Sequence, residues 1–227
     1  MSNWIETRTR EELDEAIARY IANALAADIS AHGDASLAIS GGSTPKGFFR
    51  KLSEHEIDWS RVTITLVDDR WVAPEHADSN ERLARENLLI NAASSARFIG
   101  LKTPHATPTE GLAEASEKLA GIRQPFTLVV LGMGDDGHCA SWFPQASNLA
   151  QLVDPAGTAM LGACDPVTAP HLRITLTLPA VLNSGEVLLH IVGEDKRAVL
   201  LEASDRGYPI ALATDQDQTP VSTWWAP

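Results

Sequence analysis

The chain contains a continuous apolar run, FTLVVL at residues 126–131, which changes abruptly into a glycine-rich turn, GMGDDGH at 132–138. An apolar run with β-branched residues and no polar alternation is typical of a strand covered on both faces in a parallel sheet. In such folds the active site lies beyond the carboxyl ends of the strands. The run therefore predicts a doubly wound α/β fold, and it places Asp136 and His138 where that fold carries its chemistry.

Length and composition predict a single domain over residues 1–227. The 227 residues are 44% hydrophobic and 21% charged, which is enough for one substantial core. No apolar run approaches the length of a bilayer crossing, and the start, MSNWIETRTREELDEA, is charged where a secretory signal is apolar, so we expect a cytoplasmic protein. Cys139 and Cys164 form neither a disulfide framework nor a four-ligand zinc pattern, which fits a reducing compartment and predicts no structural metal.

The charge balance argues against two classes of partner. Thirty acidic and eighteen basic residues give a formal net charge of −12, so the field of the protein repels nucleic acid and anionic membranes. We therefore expect neither as a partner. If the substrate is an anion, the few Arg and Lys side chains that bind it must be gathered locally.

Hydrophobic periodicity and capping residues predict the remaining elements. Thr9 with Glu12 has the spacing of a capping box, and Asp78, with Glu81 three residues later, is predicted as a helix N-cap. The predicted elements are helices at 10–31, 79–91, 109–122 and 194–203, strands at 36–40, 62–67, 186–193 and 208–213, and a strand followed by a short helix within 171–185. Residues 145–170 have weak periodicity and receive no assignment.

Two further strand ends carry polar turns. SGGSTPKG at 40–47 combines glycines and hydroxyl side chains ahead of a helix, which suits a phosphate but also suits a plain strand-to-helix turn, so both interpretations stay open. The triplet Asp68–Asp69–Arg70 follows the strand at 62–67, and its charges are costly to bury without a role, which favours functions for Asp68 and Arg70. Because these strands share one parallel sheet, we expect their turns to converge on one edge with 132–138.

The glycines within 132–137 formally match the G-x-G-x-x-G pattern of dinucleotide-binding folds. However, Asp135 and Asp136 would place negative charge against a pyrophosphate, and Pro144 limits the helix that should follow the loop. The pattern also comes late in the chain instead of opening it. A nicotinamide or flavin enzyme therefore stays open as an alternative but is not favoured.

Asp136 and His138 have a better explanation as base chemistry. A carboxylate that holds one imidazole nitrogen fixes the tautomer and leaves the other nitrogen free to deprotonate water. Ser141 and Cys139 lie near His138 but outside a nucleophile elbow, so covalent catalysis remains open but is not favoured. A hydrolytic zinc site needs more ligands than this segment offers in a recognisable spacing. The residues favour metal-independent general-base catalysis.

Five segments resemble, in order, the motifs of the 6-phosphogluconolactonase family: SGGSTP (40–45), DDRWVAPEHADSN (68–80), LGMGDDGHCASWFP (131–144), RITLT (173–177) and GEDK (193–196). The first and third are shared with the sister glucosamine-6-phosphate deaminases. Arg70 and the ASWFP segment point to the lactonases, because in the deaminases position 70 is usually aromatic and a catalytic glutamate stands where this chain has Phe143. Two positions depart from the lactonase pattern, which usually has Glu at Asp69 and Thr at Cys139.

The resemblance implies a modified Rossmann-like fold, a mostly parallel sheet with helices on both faces, that binds no nucleotide. It implies hydrolysis of 6-phospho-D-glucono-1,5-lactone to 6-phospho-D-gluconate in the oxidative pentose phosphate pathway, with no cofactor. Two alternatives stay open, a deaminase or isomerase acting on glucosamine 6-phosphate and a non-catalytic sugar-phosphate sensor. We expect a monomer or a weak homodimer.

The resemblance also implies a role for each site residue. His138 is the general base, Asp136 orients it, Arg70 stabilises the developing charge and Asp68 fixes substrate hydroxyls. The residues implied for the 6-phosphate are Gly41, Gly42, Ser43, Thr44, Arg173 and Lys196.

Overall fold

The structure is a computed structural model that describes residues 3–227; Met1 and Ser2, which belong to the predicted domain 1–227, lie outside the described residues. The strands are β1 (Asn3–Glu6), β2 (Ala35–Ile39), β3 (Val62–Leu66), β4 (Asp68–Arg70), β5 (Arg97–Ile99), β6 (Leu128–Leu131), β7 (Leu161–Cys164), β8 (Arg173–Leu176), β9 (Val187–Val192) and β10 (Val221–Ala226). The helices are α1 (Arg10–His32), α2 (Lys46–Ser53), α3 (Asn80–Asn87), α4 (Pro108–Leu119), α5 (Leu149–Leu152), α6 (Leu178–Leu182), α7 (Glu194–Leu201), α8 (Ala203–Arg206) and α9 (Pro209–Thr214), with 3₁₀ turns at Trp59–Arg61 and Asn91–Ser95.

A parallel seven-stranded sheet forms the centre, in the order β1-β10-β9-β6-β2-β3-β5. Every residue of β2 and β6 is buried, as a sheet with helices packed around it requires. Ile39 pairs with both Leu66 and Val130, so the ends of β2, β3 and β6 lie side by side. This confirms the predicted α/β fold and the convergence of three strand ends on one edge.

A second, antiparallel sheet of order β4-β8-β7 lies beside this edge. Val67 connects the two sheets, because its N–H donates to Ile39 O at 2.8 Å and its carbonyl accepts from Leu176 N at 2.7 Å. The Asp68–Arg70 triplet, predicted as a turn after the strand at 62–67, is therefore a short strand of its own. Its partner, β8, lies about a hundred residues later in the chain, so local periodicity does not predict the pairing.

Helix α1 begins close to where the capping residues predict. The Thr9 hydroxyl accepts from Glu12 N at 3.1 Å, whereas the Glu12 carboxylate accepts from Arg8 N at 3.0 Å, so only half of the predicted capping box forms. The buried face of α1 carries Leu13, Ile17, Ala18, Ile21, Ala22 and Leu25. These residues recur at helical spacing and pack the helix against the core.

Two local predictions are wrong. Residues 208–213 are predicted as a strand, but 209–213 lie in α9 and Tyr208 is its N-cap. Pro209 at the first helical position fixes a helical φ, and Ile210 and Ala213 are buried three residues apart. The last strand along the chain is instead β10. Ser79, and not Asp78, caps α3, since the Ser79 hydroxyl accepts from Arg82 N at 3.3 Å.

Residues 145–170, which received no assignment, contain α5 and β7.

Within residues 3–227, no helix combines the length and the apolarity needed to cross a membrane.

Candidate active site

A cleft of about 560 Å³ opens at the carboxyl ends of β2, β6 and β9, between the central sheet and the strands β4 and β8. Of the ten predicted site residues, all but Asp136 line it. The structure thus brings together side chains from segments that are as far apart as residues 41 and 196. This position is where open α/β sheets bind ligands.

His138 and Asp136 form the predicted pair. His138 Nδ1 lies 2.5 Å from Asp136 Oδ1, which also accepts from the His138 N–H at 3.2 Å. Partial burial raises the pKa of Asp136, but the hydrogen bond from His138 and the charge of His138 together lower it by more. The pKa of Asp136 is therefore below its ordinary value. Asp136 stands behind the imidazole, outside the cleft lining, and this arrangement leaves Nε2 for chemistry.

The tight turn that presents His138 depends on two glycines. Gly134 N donates to His138 O at 2.8 Å, and Gly137 has a φ of 73°, the left-handed region that glycine adopts without strain. At Gly134 a Cβ would lie 2.2 Å from both Cε1 and Nδ1 of His138. Only glycine, which has no Cβ, therefore leaves room for the imidazole at this position.

Replacement of Gly134 by alanine is expected to lower kcat by roughly tenfold or more, because the methyl group pushes the imidazole away from Asp136. Steady-state kinetics with the lactone that the family resemblance implies as substrate would measure this. Gly121→Ala serves as the control, since a Cβ at Gly121 meets nothing within 4 Å. Equal kcat values for both variants would contradict the proposed packing around His138.

Asp68 lies on the cleft wall and is held in place. Its Oδ2 accepts from Ser141 Oγ at 2.6 Å, and its carbonyl accepts from Asn80 Nδ2 at 2.8 Å. The Ser141 hydroxyl therefore bonds to Asp68 and not to His138. Complete burial raises the pKa of the Cys139 thiol, with Asp68 adding to the effect, so Cys139 is a poor nucleophile. Neither residue has the surroundings of a covalent catalyst.

Asp69, which the sequence favours less than Asp68, anchors the loop to α3 from a fully buried position. Its carboxylate accepts from Arg70 N and Asn80 N at 2.7 Å each, and from Glu81 N and the Ser79 hydroxyl at 3.2 Å each. Burial raises the pKa of Asp69 to about 6, against the opposing effect of the backbone N–H donors. The side chain organises the wall of the cleft from behind.

Replacement of Asp69 by asparagine is expected to lower the free energy of unfolding by about 1–3 kcal/mol, because an amide NH₂ would face backbone N–H donors that need acceptors. Denaturant titration of both proteins measures the change. Asp58→Asn is the control, since Asp58 is exposed and pairs with Arg61 on the surface. A loss no larger than that of the control would show that the Asp69 contacts do not stabilise this wall.

Arg70 and Arg173 are cross-strand partners in the β4–β8 ladder, so the antiparallel pairing places two cations on one wall. Arg70 Nη1 donates to Asp78 O at 2.6 Å, and Arg173 Nη2 donates to Pro170 O at 3.0 Å. Burial lowers the pKa of Arg173, although nearby Asp68 offsets part of the shift. Among the described residues, Nε of Arg173 has no hydrogen-bond partner, which leaves a buried donor for an anion.

The turn at 41–44 lies across the cleft, before α2. Gly42 has a φ of 95°, and a Cβ at Gly41 would lie 1.8 Å from Asn80 Oδ1, so both positions require glycine. Arg10 Nη2 donates to Thr44 O at 3.0 Å and to Ser43 O at 3.4 Å. Arg10 thus anchors the carbonyls of the turn, a contact that local sequence does not predict.

Lys196, in the first turn of α7, points back to the glycine turn. Its Nζ donates to Met133 O at 2.8 Å and lies 2.5 Å from Asp135 Oδ1. The side chain is 25% exposed, while that of Asp135 is 93% exposed. A phosphate in the cleft would therefore compete with a solvated carboxylate for this ammonium.

The mouth of the cleft carries a contact between two loops. Asp78 Oδ2 accepts from His171 Nε2 at 2.9 Å, and this hydrogen bond lowers the pKa of Asp78. His76 stacks edge-on against His171 with ring centroids 5.4 Å apart. These three side chains place potential ligand atoms within 4.8 Å of one another, a donor set that divalent cations also use. The contact joins the loop after Arg70 to the loop before Arg173.

Phe143 and His190 complete the cleft lining. The Phe143 ring stacks on His138 with centroids 4.2 Å apart. His190 is buried beside Phe48, and burial lowers its pKa to about 3, so this imidazole is neutral. His190 lies in an apolar segment, LHIV, where local sequence gives no sign of a role in the site, whereas the family resemblance marks the position of Phe143.

Comparisons with known proteins show which family the chain resembles over its whole length. A family model described as glucosamine-6-phosphate isomerases/6-phosphogluconolactonase matches residues 8–225. A 6-phosphogluconolactonase of Rhizobium meliloti is 43% identical over 219 residues, covering 95% of this chain and 94% of that protein. One of Neisseria meningitidis serogroup A is 40% identical, covering 98% of both. A crystal structure of a 6-phosphogluconolactonase from Shewanella baltica superimposes with a TM-score of 0.97 at 43% identity, over 100% of this chain and 98% of that one.

Proposed function

The chain belongs to the glucosamine-6-phosphate isomerase and 6-phosphogluconolactonase family, and we propose that it hydrolyses 6-phospho-D-glucono-1,5-lactone to 6-phospho-D-gluconate with His138 as the general base. The observation that carries the proposal is the imidazole of His138, which is bonded to Asp136 through Nδ1 and lines the same cleft as Arg70 and Arg173. A base and a pair of cations around one cleft suit the hydrolysis of an anionic ester.

The reaction needs a base that later serves as an acid. Nε2 of His138 takes a proton from water as the water oxygen attacks the lactone carbonyl, while Asp136 stabilises the imidazolium that forms. Arg70 stabilises the oxyanion of the tetrahedral intermediate. When this collapses, the bond between the carbonyl carbon and the ring oxygen breaks. The ring oxygen takes the proton from His138, which restores the base and releases the open-chain acid.

The remaining site residues bind the substrate. The backbone N–H groups of the turn at 41–44 and the hydroxyls of Ser43 and Thr44 surround the 6-phosphate, and Arg173 and Lys196 supply positive charge. Asp68, held by Ser141, accepts hydrogen bonds from sugar hydroxyls. A single domain over 1–227 carries this site, and we infer that it works in the cytoplasm as a monomer or a weak homodimer, without nucleic acid as a partner.

The test is hydrolysis of freshly generated lactone, coupled to 6-phosphogluconate dehydrogenase, with glucosamine 6-phosphate assayed in parallel. We expect acceleration of lactone hydrolysis and no ammonia release, because Phe143 stands where a deaminase needs its acid. Ammonia release would favour the deaminase alternative. Binding of 6-phosphogluconate without any turnover would favour a sugar-phosphate sensor.

A further inference from the structure

Two contacts fix the imidazole of His138, and only one of them is a hydrogen bond. Asp136 holds Nδ1 at the edge of the ring. The Phe143 ring covers a face, with centroids 4.2 Å apart and planes inclined by 26°. A single hydrogen bond leaves a ring free to turn about the bond, and the Asp136 side chain is itself 43% exposed. The stacked ring supplies the constraint on the plane of the imidazole that the hydrogen bond lacks.

Phe143 can supply this constraint because its own segment is anchored to β8. Ser141 N donates to Thr175 Oγ1 at 3.2 Å, and Trp142 Nε1 donates to Leu176 O at 2.9 Å. Trp142 is fully buried and Phe143 is 4% exposed. The ring is therefore held by buried hydrogen bonds and core packing, which are more rigid than the solvated carboxylate of Asp136.

The same ring reaches the wall that carries Arg70 and Arg173. The guanidinium carbon of Arg173 lies 5.7 Å from the centroid of Phe143, within the range of a cation–π contact. Arg173 is buried, so this contact is little screened by water. One aromatic ring thus lies against both the base and an arginine implied for the phosphate.

We propose that Phe143 is a positioning residue, which fixes the plane of His138 so that Nε2 addresses the lactone carbonyl and sets the distance from the base to Arg173. The proposal rests on the proposed function, since it takes His138 as the base. It deepens that function by naming a second support of the base. Phe143 acts through His138 and does not itself touch the reacting atoms.

The test compares Phe143→Leu, which keeps apolar bulk but removes the ring, with Phe143→Tyr, which keeps the ring. We expect Phe143→Leu to lower kcat roughly tenfold or more, by misplacing the base, and Phe143→Tyr to restore most of the loss. Phe126→Leu is the matched control, because Phe126 is as deeply buried but lies outside the cleft. Equal kcat losses in Phe143→Leu and Phe126→Leu would overturn the proposal and indicate a general packing effect.

A double-mutant cycle separates positioning from structure. In a His138→Gln background, Phe143→Leu should change the residual rate less than twofold, because no base remains to be positioned. A loss as large as in the wild-type background would overturn the proposal. If instead His138→Gln alone keeps wild-type activity, the base assignment in the proposed function fails.

Proton NMR tests the stacking directly. It requires neither an activity assay nor a Phe143 variant that folds. The carbon-bound imidazole protons of His138, identified by their loss in His138→Gln, should show an upfield ring-current shift. Ordinary chemical shifts for these protons would overturn the stacked arrangement, whatever the outcome for the base. An upfield shift together with an inactive His138→Gln would support both the stacking and the base.

Discussion

Replacement of His138 by alanine is expected to lower kcat for lactone hydrolysis by about a hundredfold or more, with little change in KM. Removal of a general base costs this much because proton transfer from water then has no positioned acceptor in the transition state. KM changes little because the proposed phosphate-binding groups lie elsewhere in the cleft, and they hold ground state and transition state alike. Steady-state kinetics, corrected for spontaneous hydrolysis of the lactone, measures both constants.

The chain offers a matched control for this variant. His32 also pairs with an aspartate, since His32 Nδ1 lies 2.7 Å from Asp28 Oδ1, but the pair is on the surface of α1. His32→Ala should keep wild-type kinetics. Asp136→Asn should lie between wild type and His138→Ala, because the base remains but its tautomer and orientation are less well held. A His138→Ala enzyme with near wild-type kcat would remove His138 as the base.

Much of the fold could be predicted because its central strands are buried on both faces. The runs at 62–67 and 126–131 show this, since short runs rich in apolar and β-branched residues are typical of strands buried in a parallel sheet. The run at 208–213 is short and apolar as well, but Pro209 begins a helix there. Periodicity alone does not distinguish a buried strand from one or two buried helical turns.

Other parts of the fold depend on partners that are distant in sequence. Strand β4 has three residues and forms because β8, about a hundred residues later, offers an antiparallel edge. Residues 161–164, which form β7 on the other side of β8, lie in the segment that received no assignment. Such pairing is decided by tertiary structure, which overrides weak local propensity.

The site divides along the same line. Residues that follow strand ends, such as Asp68, Arg70 and His138, could be predicted to meet, because parallel strands end at one edge. The supports of these residues could not. Asn80 packs against Gly41, Arg10 holds the carbonyl of Thr44, and neither contact leaves a trace in local composition.

Replacement of Arg173 by alanine is expected to raise KM by about ten- to a hundredfold, with a smaller effect on kcat. A charge-assisted hydrogen bond to phosphate has this magnitude, and phosphate binding is shared by substrate and transition state. The buried Nε of Arg173 has no hydrogen-bond partner among residues 3–227. We therefore expect it to donate a hydrogen bond to the phosphate when substrate binds. Competition by 6-phosphogluconate and by its analogue without phosphate would show whether the lost affinity belongs to the phosphate.

Two further variants test how specific this effect is. Arg173→Lys should recover only part of the affinity, because an ammonium cannot reproduce the fork of donors that a guanidinium presents. Arg61→Ala, which removes an exposed arginine that donates to Gly33 O, should leave KM unchanged. If Arg173→Ala lowers kcat as strongly as it raises KM, Arg173 stabilises charge that develops in the transition state. The oxyanion would then be bound by both arginines of the β4–β8 wall, and the 6-phosphate by Lys196 and the turn at 41–44.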